Sequence, residues 1–393
     1  MGGDAENAGA TRLDPGERSW WTAWRAELDR GVAEVRGRLD AVAYRAQQYA
    51  ILAPLAALRR LIAIAGGGAA PDPGAVAMLR RRYDDLLARD LANVEAGLYP
   101  RALLFQIPFA RYAYALPSLL LDAPWIARRM RARDHQDLPA DVDVGRYPSY
   151  FRRNFHWQSD GYLSCRSAEL YDVGVELLFA GMGDVMRRQV IPPISRFVAG
   201  SGSRDVRVLD VACGTGRLLA QLAIAQPRVR LYGVDVSPFY LQVARRVLAD
   251  VPDASLVAEN AERLPFRSGH FGVVTSVYLF HELPRAVRRT VLAEMYRVLR
   301  PGGLLVIEDS AQLAESGSLA FFLGRFATEF HEPFYRDYIA DDLALPIAEA
   351  GFRLESVEPH YVSKVFVARK LAGARGPLAI HRGGVRDPSR NQG

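Results

Sequence analysis

The chain is almost free of lysine: Lys364 and Lys370 are two of its 50 basic residues, and arginine supplies the rest. A net charge of +6 carried this way, beside abundant alanine, reads as base-composition bias, so nucleic acid is not expected as a partner. The runs Arg80-Arg81-Arg82 and Arg128-Arg129 to Arg133 leave two readings open. One is contact with a membrane surface or an acidic partner; the other is a plain solvated helix face, which charge runs usually are. Cysteine is nearly absent too. Cys165 and Cys213 fit no metal-ligand spacing, which excludes a disulfide framework and points to a reducing, cytoplasmic compartment. The N-terminal stretch MGGDAENAGATRLDPGERSWW has no basic region leading into an apolar core, so no signal peptide is expected. A spanning helix needs about 20 nearly uninterrupted apolar residues. The most apolar stretch, LLFQIPFARYAYALPSLLL, is broken by Pro108, Arg111 and Pro117, although it can lie against a bilayer surface.

What is present is an ordinary globular composition, half hydrophobic and 24% charged, in 393 residues. That length predicts about two or three domains and a core that needs no staples. Residues 1–17 are polar and expected to be disordered. From 18 to 65, Trp20, Trp21, Trp24, Leu28, Val32, Val35 and Leu39 recur at helical spacing. Gly66-Gly67-Gly68 and Pro71-Asp72-Pro73 end that pattern, and a second helix is predicted from Ala75 to Ala96. Residues 101–133 read as helix interrupted at Pro108, Pro117 and Pro124. The apolar residues Ile107, Phe109, Tyr112 and Tyr114 suit a lipophilic acceptor, a core or a dimer contact. A polar linker follows, and residues 167–198 read as one amphipathic helix.

Beyond it, short apolar runs alternate with helical patterns: VRVLDVA, RLYGVDVS, ASLVAEN, FGVVTSVYLF, GLLVIEDS, FRLESVEP and SKVFVAR. Such alternation predicts an α/β fold with a largely parallel sheet. The first run enters VLDVACGTGRLLAQL, with Asp210 at its carboxyl end and a turn made by Gly214 and Gly216. Glycines are needed where the backbone bends tightly and meets a ligand with no side chain between. Ligands in open α/β sheets bind beyond the strands' carboxyl ends. Asp235 closes the second run about twenty residues later, where an acid can accept from a ribose diol. The turn lacks the third glycine of a dinucleotide-binding fingerprint.

These ordered motifs, over residues 165–370, resemble those of class I S-adenosylmethionine-dependent methyltransferases, nearest the ubiquinone/menaquinone-type small-molecule branch. The resemblance implies a Rossmann-like seven-stranded methyltransferase sheet of α/β class over residues 166–372, with 136–165 as linker and lid. Helical spacing marks 18–135 as an N-terminal all-α domain, and a Gly/Arg/Pro-rich composition marks 373–393 as a disordered tail. S-adenosylmethionine is the implied cofactor. Asp210, Ala212, Gly214 and Gly216 would line its methionine end, Asp235 would hold the ribose, and Val236 would pack on the adenine. Asn260 and Ala261 stand in the third motif, where the family carries aspartate, and an amide oxygen still accepts from the adenine amine. Ser276 is a further expected contact. Tyr162 and Tyr171 match the family's lid tyrosine.

Methyl transfer from a sulfonium needs alignment above all, and a base if the acceptor must lose a proton. His281, Glu282 and Asp309, at the ends of the fourth and fifth strands, are the candidates. His281 has an equal alternative as a helix-start residue bonding the local backbone. The (N/D)-P-P-(Y/F) motif of adenine and glutamine methylation is missing at Leu279-Phe280-His281-Glu282. His156 and Trp157, from NFHWQSDGYLS, and His331 and Tyr335, from EFHEPFYRDY, are expected to wall a small acceptor. The same aromatic residues at 154–164 can instead form an interdomain hinge. A cofactor-binding scaffold without turnover and an RNA or protein methyltransferase remain alternatives, and peripheral membrane contact through the N-terminal helices and a homodimer stay open.

Overall fold

The computed structural model describes residues 37–52, 72–107, 109–202 and 205–372. The expected disorder at 1–17 and 373–393, and the helical pattern over 18–36 and 53–65, lie outside the described residues, as do the side chains of Phe109 and Tyr112. Two compact units divide between Ile51 and Leu52. In the first, the described residues are helical.

The second unit contains the helix Pro73–Glu95. Asp72 caps it by accepting from Ala75 N at 2.8 Å, and Pro73 occupies a first-turn position that needs no donor. Its buried Asp90 pairs with Arg188 at 2.5 Å, which ties the helix to the turn before the sheet. The helix Phe109–Ala132 then continues unbroken past Pro117 and Pro124, where interruptions were expected. The two prolines are seven residues apart and both exposed, so the freed carbonyls share one face that water can satisfy. The single helix expected over 167–198 is instead split into Cys165–Leu178, Gly183–Arg187 and Ile191–Gly200. Ala180 and Gly181 take positive φ there, and the Glu176 carboxylate accepts from the backbone N–H groups of Gly183 and Asp184. No described helix is long and apolar enough to cross a membrane.

All seven apolar runs form strands: β1 Arg207–Val211, β2 Arg230–Asp235, β3 Ala254–Ala258, β4 Phe271–Val277, β5 Leu299–Ser310, β6 Phe352–His360 and β7 Ser363–Lys370. Their order is β3-β2-β1-β4-β5-β7-β6, with β7 antiparallel to both neighbours and the first five strands parallel. The period of two explains the two-sided core. Leu209, Val274 and Leu305 pack on one face against Val291 and Met295, while Val208, Val273 and Val306 pack on the other against Ile194 and Leu222. β1 pairs with β2 on one side and β4 on the other, so the chain reverses winding direction at β1. The crevice beyond Asp210, Asp235 and Val277 is where such sheets take ligands.

Candidate active site

The turn after β1 is held open by left-handed backbone: Ala212, Gly214 and Gly216 have φ of 61°, 54° and 76°. A Cβ on Gly216 would come within 3.1 Å of the Ala244 Cβ, so this glycine lets the following helix approach the helix Pro238–Val247. A Cβ on Gly214 would meet nothing within 4 Å; its surroundings are open. Asp235 fastens the turn. Its two oxygens accept from Gly214 N and Ser237 N, each at 2.8 Å. Burial pushes its carboxyl up to about 6 against those two hydrogen bonds.

Ala212, Gly214, Asp235 and Val236 line one wall of a cavity at the strand ends, and Asn260 and Ala261 line a second. The Asn260 side chain is turned onto its own loop, accepting from Glu262 N at 2.9 Å and donating to the Glu262 carboxylate. Tyr162, Tyr171 and Glu282 complete the predicted members of the lining. The Tyr162 hydroxyl donates to Glu282 Oε1 at 2.6 Å, and its carbonyl accepts from Ser237 Oγ. Its ring stacks on Phe155 at 5.4 Å and meets Tyr240 edge-on. The segment 154–164 thus folds down over the cavity. A Cβ on Gly161 would lie 2.5 Å from the Arg153 carbonyl, so the tight return needs glycine.

Other predicted residues lie off this lining. Ser276 is fully buried within the sheet, where its hydroxyl donates to the Val211 carbonyl at 2.7 Å. Gly216 packs between helices. Asp210 is buried just beneath the turn; burial holds its carboxyl well above the usual carboxylate range, and its Oδ1 has no hydrogen-bond partner. Trp157 is a strut. Its indole N–H donates to the Glu329 carbonyl, while Arg129 Nε donates to the Trp157 carbonyl. His331 is sandwiched between His135 and Trp157 at 4.6 and 4.9 Å, and burial among positive neighbours takes its pKa down to about 4. The Tyr335 hydroxyl shares a 2.7 Å hydrogen bond with Ser310 Oγ.

Beside the cavity stands a second constellation. His281 Nδ1 is 2.6 Å from Asp309 Oδ1, and Asp309 also accepts from Phe280 N and Ser310 N. Burial opposes charge on this imidazole, but Asp309 overrides it and raises the pKa above the ordinary histidine range. The ring packs edge-on against Tyr278, Tyr335 and Tyr338. His156 Nε2 lies 3.1 Å from Glu332 Oε1 and 3.8 Å from Glu282 Oε1. Burial pushes the Glu332 carboxyl up, with His156 opposing.

Several residues here escaped prediction. Phe151, Tyr240 and Tyr278 line the cavity, yet in sequence they look like any core aromatic. Glu332 sits in the aromatic-polar cluster flagged at 329–338, next to the His331 favoured instead. The residues present suit the implied cofactor. The open backbone at Gly214 is what a carboxylate would meet, the unpaired oxygen of Asp210 lies just beneath that turn, and each Asp235 oxygen keeps a lone pair for a hydroxyl.

Residues 208–303 match the family described as a methyltransferase domain. An uncharacterized methyltransferase of Synechocystis sp. is 33% identical over 149 residues, which is 37% of this chain and 66% of that one. The demethylmenaquinone methyltransferase of Symbiobacterium thermophilum is 34% identical over 161 residues, 40% of this chain and 61% of that one. The ubiquinone/menaquinone biosynthesis C-methyltransferase UbiE of Pseudomonas fluorescens is 30% identical over 230 residues, 55% of this chain and 84% of that one. The chain thus spans less than two thirds of the first two relatives' own length and most of the third's.

Proposed function

The chain belongs to the class I S-adenosylmethionine-dependent methyltransferases of ubiquinone/menaquinone type, and from that premise we propose that it methylates a ring carbon of a small, lipophilic, quinol-like acceptor. The observation that carries this reading is the double role of Glu282. It lines the cofactor cavity, takes the Tyr162 hydroxyl, and stands 3.8 Å from His156 in the neighbouring cluster. One carboxylate therefore joins the crevice at the strand ends to a side rich in rings.

When bound, the cofactor supplies an electrophilic methyl group. Asp235 would hold its ribose hydroxyls, Ala212 and Gly214 would present backbone to its methionine end, and Asp210, beneath that turn, would stand behind the ammonium. Val236, Asn260 and Ala261 bracket the adenine. Tyr162 and Tyr171 close over it and exclude water. Holding nucleophile and methyl in line is the chain's main contribution. His281 is the base: with Nδ1 tied to Asp309, Nε2 is the nitrogen left to take a proton. His156, Trp157, His331 and Tyr335 shape the acceptor wall.

A lipophilic acceptor also suits the helix Phe109–Ala132, which exposes Tyr114, Leu120, Leu121 and Trp125 beside Arg128. We read that face as a peripheral contact with anionic bilayers. The test of function is incubation of the purified chain with S-adenosylmethionine and demethylated quinols, followed by mass spectrometry. A product heavier by one methyl group on a ring carbon supports the reading. Cofactor binding without any methylated product would favour a scaffold instead.

A further inference from the structure

Three side chains from three separate segments converge beside the cofactor cavity. His156 comes from the turn Phe155–Trp157, Glu282 from the turn Phe280–Glu282 after β4, and Glu332 from the loop after the helix Ala320–Glu329. One ligand atom from each lies within 4.8 Å of the others. Glu332 is 1% exposed; its Oε1 is paired with His156 Nε2 at 3.1 Å, and its Oε2 has no hydrogen-bond partner. Among the described residues, His156 is the one basic side chain within 4 Å of Glu282 or Glu332. Two carboxylates and one imidazole are therefore gathered in a largely buried place with too little positive charge to match them. Burying two carboxylates that share one imidazole is costly, and a cation is the simplest group that satisfies all three at once.

The spacing suits one ion. Ligands on neighbouring corners of a metal at about 2.0–2.2 Å stand about 3 Å apart, and wider angles separate them further. The His156–Glu332 distance of 3.1 Å and the His156–Glu282 distance of 3.8 Å fall in that pattern. One imidazole and two carboxylates favour borderline-hard divalent ions such as Mn(II) or Zn(II).

We propose that His156, Glu282 and Glu332 bind a divalent metal ion whose remaining positions take oxygen atoms of the methyl acceptor. The ion site stands on this geometry alone; the acceptor's part in it rests on the methyltransferase reading above. Because Glu282 also lines the cofactor cavity, an acceptor oxygen on the ion is held within reach of the methyl group. Bound hydroxyls lose their protons more readily on a divalent ion, which makes an oxygenated ring a better nucleophile. Acceptors with two adjacent ring oxygens, able to chelate, are the preferred class.

The test is titration of the full chain with Mn(II) alone, followed by electron paramagnetic resonance and calorimetry, with S-adenosylhomocysteine binding measured in parallel. One ion per chain is expected, weakened by about tenfold or more in both Glu332→Gln and His156→Gln. Glu355→Gln, changed on β6 away from the cluster, is the control and should bind the ion as the native chain does. Both cluster variants should keep their affinity for S-adenosylhomocysteine, which shows that they are folded. The proposal is overturned if the native chain binds neither Mn(II) nor Zn(II) below about 1 mM, or if the cluster variants bind as tightly as it does. Methylation that survives chelation, in a chain that binds no ion, would sink the metal site and leave the methyltransferase reading standing. Failure to bind S-adenosylhomocysteine would count against that reading and not against the ion.

Discussion

The two sides of the crevice are built on different principles. On the cofactor side, the contacts come from backbone turns that follow β1, β2 and β3, and Asp235 is tied to its neighbours: both its oxygens accept from backbone N–H groups. On the acceptor side, the groups are side chains brought together from segments far apart in sequence, and Glu332 keeps one oxygen without a partner. A turn after a strand can be specified by a few consecutive residues. A cluster such as His156, Glu282 and Glu332 requires the lid and the segment after β5 to fold onto the sheet first. The cofactor side is therefore the fixed half, and the acceptor side is where a different substrate would be accommodated.

Substitutions should separate the halves. The largest effect is expected from His281→Ala, which removes the base while leaving the cavity lining intact. The turnover number should fall by about 10²–10⁴, with S-adenosylhomocysteine affinity essentially unchanged by calorimetry. Asp235→Ala should show the converse. Losing two charge-assisted hydrogen bonds costs about 3 kcal/mol, so affinity should drop roughly a hundredfold, while turnover at saturating cofactor changes little. A similar loss in both parameters for either variant would erase the distinction between the two sides.

A pH titration sharpens it further. Burial raises Asp235 from 3.8 to about 6 in the ligand-free fold. The native state then holds this proton more tightly than the unfolded chain, so the ionised carboxylate costs the ligand-free fold stability as pH rises through that window. Cofactor hydroxyls favour the ionised form. Affinity for S-adenosylhomocysteine should therefore weaken by about tenfold between pH 7 and 5, and Asp235→Asn should lose that dependence. The smallest effect is expected from Tyr162→Phe, which removes one hydrogen bond to Glu282. That is worth about 1 kcal/mol, or roughly fivefold in catalytic efficiency by steady-state kinetics.

The same division governed what could be read in advance. The seven strands were legible because each is a short apolar run bounded by turn residues, and the glycine turn with Asp235 was legible from two short motifs at the ends of successive strands. The lid was legible as an oddity of composition at 154–164, although the separate jobs of Trp157 as a strut and Tyr162 as a cover depend on contacts with residues such as Glu329 and Glu282. Ser276 looked available at a strand end, but which face a strand residue presents depends on register, and its hydroxyl turns to Val211. The break at Ala180-Gly181 was hidden because the apolar spacing continues across it. Glu332 was hidden because nothing local marks a carboxylate that will be buried by segments arriving from elsewhere.

The central claim is that Glu282 is the meeting point of the two halves. A crystal structure with S-adenosylhomocysteine tests it most directly. The account predicts the ribose hydroxyls on Asp235 and the sulfur turned toward Glu282 and His156. A ribose bound away from Asp235, or a sulfur facing away from Glu282, would contradict it.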